Sequence, residues 1–77
     1  MIFKVSRETS PNKLAAAIIN VTENNPIECL ASGTQAVNNL LYALCVAGNV
    51  REFEHKITFE GEREGKFRVR ITTKRSE

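Results

Sequence analysis

Two breaks in the chain constrain its fold more than anything else in it. At each, a short run of β-branched, aromatic or small apolar residues gives way within a few residues to an alanine-rich run with helical spacing. In the first, "IFKVSRETSPNKLAAAI", Ser10 is placed to accept hydrogen bonds from the free amides of a helix start. Pro11 then takes the first helical position, where its missing N–H costs nothing. In the second, "IECLASGTQAVNNLL", Gly33 supplies the tight turn and Thr34 is the expected cap. A strand that feeds a helix twice in succession restricts the chain to the α/β class. The spacing predicts strands at about 2–6 and 27–31 and helices at about 11–23 and 35–47. Asn24, Asn25 and Pro26 end the first helix and Gly48 the second.

The last third changes period. Phe53, Ile57 and Phe59 alternate with Glu54, Lys56, Thr58 and Glu60, and Phe67, Val69 and Ile71 alternate with Lys66, Arg68, Arg70 and Thr72. Period two on both sides of the glycine-bracketed "GEREG" predicts a hairpin whose turn is 61–65. The order is therefore β-α-β-α-β-β. It predicts an α/β two-layer sandwich, a single domain over 1–77 with a four-stranded mixed sheet and two helices on one face. Leu14, Ile18, Val37, Leu40 and Leu44 are expected to pack on that sheet, with Phe59, Val69 and Ile71 facing them.

The second helix is apolar nearly all round, whereas one small sheet covers one side of a helix. Its far side is either an oligomer interface or a tolerated alanine-rich surface. The candidate dimer interface is Leu41, Tyr42, Cys45 and Val46. A chain of 77 residues is near the size where one core only just outweighs chain entropy, which favours self-association. Cys29 and Cys45 lie in apolar runs and read as buried thiols of a reducing cytoplasm. The opening "MIFKVSRETS" has no apolar signal region, and no run approaches 18 apolar residues. A cytoplasmic protein without a membrane partner is expected.

Catalytic chemistry has little to stand on. The single histidine, His55, lies in a strand, Glu60, Glu62 and Glu64 sit at a hairpin tip, and aspartate is absent. No enzyme, metal or cofactor is expected. The remaining signal is charge. Residues 14–48 contain no lysine or arginine, while Lys66–Arg75 holds five basic residues and no acid. Lys66, Arg68 and Arg70 share one face of their strand, either as a row of phosphate contacts or as a guard against edge aggregation. The loop before Pro11 is open to two readings as well. It is a helix cap, or it is an anion site in which Arg7 and Lys13 bring charge and Ser10, Asn12 and free amides bring hydrogen bonds.

"FKVSRETSPNKLAAAI" and "ECLASGTQAVNNLLYALCVAG" resemble the two blocks of the stage V sporulation protein S family, most specifically at Pro11-Asn12 and Ala36-Val37-Asn38. That family is related to the Alba superfamily, whose element order is the one derived above. The resemblance implies a homodimer that binds DNA or RNA and serves as a sporulation or developmental regulator. It implies contacts from the loop after the first strand (Arg7, Ser10, Asn12, Lys13), from the start of the second helix (Gln35), and from the hairpin (Lys66, Arg68, Arg70). Tyr42 stands where the family tends to carry lysine, and the hairpin tip is acidic. The alternative is a protein-interaction or assembly module on the same fold.

Overall fold

The computed structural model describes residues 1–76, in the order β1 (Ile2–Val5), α1 (Pro11–Val21), β2 (Ile27–Ser32), α2 (Thr34–Gly48), β3 (Phe53–Arg63) and β4 (Lys66–Arg75). α1 carries the chain back to the start of the sheet, so β2 lies parallel to β1. β4 then pairs antiparallel with β2, and β3 antiparallel with β4, giving the strand order β1-β2-β4-β3. The sheet is mixed and the arrangement is the two-layer α/β fold that the sequence predicts. Among the described residues, no helix is long and apolar enough to cross a membrane.

Alternation decides which side of each strand meets the helices. Ile27, Cys29 and Ala31 of β2 stand opposite Thr73, Ile71 and Val69 of β4, and all six are buried. Leu14, Ala15 and Ile18 of α1 and Leu40 and Leu44 of α2 close the core over them. Each fully buried leucine or isoleucine contributes about 1.5–3 kcal/mol. Ala36, Ala43 and Ala47 are buried along α2, where the absence of bulk lets the helix lie close to its neighbours. Val37 is partly buried and packs against this core. At the end of α1, the buried Thr22 hydroxyl finds its partner in the Ile18 carbonyl, to which it donates at 2.6 Å.

Several expectations are corrected. Gly33, not Thr34, is the residue before the first turn of α2, and no side chain caps that helix. Gly48 is the last helical residue instead of a stop beyond it, with Asn49 at the cap. "GEREG" is not one turn. β3 continues to Arg63 and the turn is the pair Glu64-Gly65, with φ of 55° and 78°, as a two-residue hairpin with right-handed twist requires. Gly61, at φ 86°, sits in the register shift between Phe59 and Glu62, an inserted residue that bends the strand. Phe59 points to the helix side, opposite Val69, yet it is 79% exposed because the hairpin extends beyond the helices. Cys45 is exposed as well, while Cys29 is buried as expected and its thiol is pushed up to about 11 by desolvation.

Candidate nucleic-acid interface

The loop between β1 and α1 is held by its own short side chains. The Ser6 amide donates to Thr9 Oγ1 at 2.8 Å, the Thr9 amide to the Ser6 carbonyl at 3.1 Å, and the Glu8 amide to Ser6 Oγ at 3.2 Å. A second anchor comes from α2. Asn39 is 6% exposed, and its amide nitrogen donates to the carbonyls of both Ser6 and Arg7 at 3.1 Å. Its oxygen accepts from Gln35 Nε2 at 3.2 Å, so this buried amide is satisfied on both sides. Arg7 is therefore fixed in backbone position while its side chain stays exposed.

That anchoring places Arg7 in a crevice of about 730 Å³ at the ends of β1 and β2, shared with Glu8, Gly33, Gln35 and Lys66. The Gly33 amide donates to the Phe67 carbonyl at 2.8 Å, tying the start of α2 to β4. Gly33 itself has φ 90°, a region that disfavours any side chain, and the Lys66 stem passes 3.9 Å from where a Cβ would stand. With no side-chain cap, the first amides of α2 remain available at the positive end of a 15-residue helix.

Of the residues expected to bind, Arg7, Gln35 and Lys66 come together here. Ser10, Asn12 and Lys13 do not line this crevice. They stand at the start of α1, where Ser10 accepts from the Lys13 amide at 3.4 Å and caps the helix. Arg68 and Arg70 lie on the face of the sheet that no helix covers. Arg70 donates from Nε to Glu60 and from Nη1 to Glu28, both at 2.8 Å. Hydrogen bonding and charge, first from Glu60 and then from Glu28, hold its guanidinium above the usual value. Two carboxylates thus over-compensate the one cation. Among the described residues, Arg7, Lys66 and Arg68 take part in no ion pair.

A second feature lies between α2 and the hairpin. Leu41, Leu44 and Cys45 form one wall of an apolar groove of about 340 Å³, and His55, Ile57 and Ile71 form the other. Leu41, Tyr42 and Cys45 are exposed. Val46 instead turns toward the core, partly buried against it, and does not line the groove.

A family model for stage V sporulation protein S matches residues 1–58. The chain belongs to the stage V sporulation protein S family. No curated protein matches it. Family membership implies a sporulation-related role, and the matched residues include β1, both helices, β2 and the first half of β3. Arg7 and Gln35 fall inside the matched region; Lys66, Arg68 and Arg70 fall outside it.

Three residues of this family member escaped the sequence reading. Asn39 carried a signal, a polar residue in an otherwise apolar helix stripe, but its partners are 32 and 33 residues away. Ile57, one of the alternating apolar residues of β3, is 49% exposed and lines the groove. His55 was read as a strand residue without a task. Its Nδ1 lies 2.9 Å from the Thr73 hydroxyl, and burial lowers its pKa from the ordinary 6.5. The sign follows directly. The unfolded chain takes up the proton first, so stability should fall as the pH drops through 6.5 toward the folded value, then level off. Thermal melts between neutral pH and mildly acid pH should show this loss, and His55→Gln should remove that component.

Proposed function

We propose that this family member is a homodimeric nucleic-acid-binding protein, without catalytic activity or cofactor, that grips phosphates in the crevice between the β1–α1 loop and the start of α2. One observation carries the reading. Arg7, Lys66 and the uncapped amides of α2 converge from three separate parts of the chain, with Glu8 as the opposing carboxylate of the crevice. Unpaired cations beside free amides suit an anion that carries no other specificity. The dimer is supported by the apolar groove and by the exposed Ile57, Phe59 and Phe67 on the hairpin, which leave an apolar surface that a second copy can cover. Two crevices on one dimer would then act on one ligand with the gain of effective concentration.

The test is Arg7→Ala combined with Lys66→Ala, read by fluorescence anisotropy with labelled oligonucleotides at several salt concentrations. The affinity should fall for all sequences alike, and the slope of log affinity against log salt should shrink by up to about two units. An unchanged slope in a folded variant would refute phosphate contact here. The acidic tip, with Glu62 accepting from the Gly65 amide at 2.6 Å, favours the second reading, a protein-interaction module. That reading predicts no salt-dependent retention of nucleic acid at all.

A further inference from the structure

A second cleft, of about 260 Å³, lies on the open face of the sheet among Lys4, Leu30, Ser32, Arg68 and Glu60. It shares Val5 and Ser32 with the crevice described above, so the two meet at the ends of β1 and β2. Lys4 is in register with Leu30, and Arg68 stands opposite Ser32. The two cations are thus two strand spacings apart across the sheet and two residues apart along it, about 12 Å in all. Lys4 and Arg68 are in no ion pair among the described residues, although carboxylates are close at hand. Those carboxylates are committed further along the sheet. Glu60 and Glu28 hold Arg70, and Glu54 faces Lys74 at 4.0 Å. The unpaired charge therefore forms one track, from Arg7 and Lys66 in the crevice, round Ser32, to Arg68 and Lys4.

We infer, resting on the reading of the crevice as a phosphate site, that the ligand is a single-stranded nucleic acid whose backbone follows this whole track. The path turns from the ends of the strands onto the face of the sheet at Val5 and Ser32, which line both clefts. A duplex is stiff over roughly 150 base pairs and bends only at a cost of several kcal/mol, so it can touch the crevice or the sheet face but not follow the corner. A single strand rotates at every phosphodiester and can. Lys4 and Arg68 meet its phosphates on the open face, and Leu30, which lines the same cleft beside Lys4, offers apolar surface to a base without reading its edge. Sequence tolerance follows from such contacts.

The experiment compares a 12-nucleotide single strand with a 12-base-pair duplex by anisotropy at several salt concentrations. The proteins are the wild type, Lys4→Gln combined with Arg68→Gln, and Arg7→Ala. The wild type is expected to bind the single strand at least tenfold more tightly than the duplex. The Lys4→Gln/Arg68→Gln protein should lose about tenfold in single-strand affinity and about 1.4 in salt slope, at ~0.7 per phosphate contact, with a smaller loss in duplex affinity. Both positions are exposed on the sheet, and unaltered thermal melting confirms the fold. Equal or tighter duplex binding overturns the inference. So does a single-strand slope that Arg7→Ala lowers and the Lys4→Gln/Arg68→Gln protein does not, a result that leaves the crevice reading standing. If the wild type binds neither oligonucleotide, the crevice reading falls and this inference with it.

Discussion

Replacing Leu41 by arginine is expected to turn a self-associating protein into a monomer while leaving its fold intact. Leu41 is 45% exposed on α2 and lines the groove with Cys45, His55, Ile57 and Ile71. In an isolated chain, an arginine at that position reaches water along its aliphatic stem, so folding stability should change by no more than about 0.5 kcal/mol. In a dimer closed over the groove, the same guanidinium would be buried without a partner, at a cost of about 3–5 kcal/mol. That corresponds to a weakening of association by a factor of roughly 10² to 10³ or more. Ile57→Glu on the opposite wall should act in the same way. Val46→Arg should not, because Val46 packs against the core and its loss would lower the melting temperature first. Sedimentation equilibrium across a range of concentrations checks the set. A wild-type protein that stays at 8.6 kDa throughout would refute the dimer.

Asn39→Asp should have the largest effect on the fold itself. The change keeps shape and volume but exchanges the amide donor for a carboxylate. Both donated bonds, to Ser6 and Arg7 at 3.1 Å, are lost, and a charge that is 6% exposed then faces two carbonyl oxygens. Leaving a buried charge unpaired costs about 3–5 kcal/mol. At 0.05–0.15 kcal/mol per residue, a domain of this length holds only about 4–12 kcal/mol in all. Asn39→Asp should therefore remove most of the stability and release the loop that carries Arg7. The acquired carboxyl would have its pKa raised by burial, and protonation would restore one donor. Acidification to about pH 5 should thus recover part of the loss relative to wild type. Asn39→Leu separates the two contributions, since it removes the bonds without adding the charge and should cost about 1–3 kcal/mol. Thermal melts at two pH values provide the measurement. A melting temperature within two or three degrees of wild type for Asn39→Asp would show that the clamp is not needed.

The class of fold was legible because it depends on local signals. Ser10-Pro11 and Gly33 punctuate the chain whatever surrounds them, and period two in residues 53–72 specifies strands through side-chain alternation alone. Val69 and Ile71 lie on the expected side for the same reason, since alternation decides the face of a strand. It does not decide whether anything covers that face. Phe59 is expected against the helices and lies exposed, because the hairpin outruns the two helices and helix length relative to strand length is a property of the assembled layers. Cys45 failed in the same way, as its surroundings depend on which side of α2 the sheet occupies.

The candidate site divides along the same line. The sequence by itself determined which residues carry charge and that two helices start beside strands. Only the tertiary structure decided which charges count. Parallel pairing of β1 with β2 brings Arg7 to the start of α2, and the hydrogen bond from Gly33 to Phe67 brings Lys66 there. Antiparallel pairing sets Arg70 beside Glu28, 42 residues away, and so withdraws it from the row that alternation alone would offer. Charge is written in the chain, but whether a charge is compensated depends on through-space distance, and distance is set only when the strands take their register.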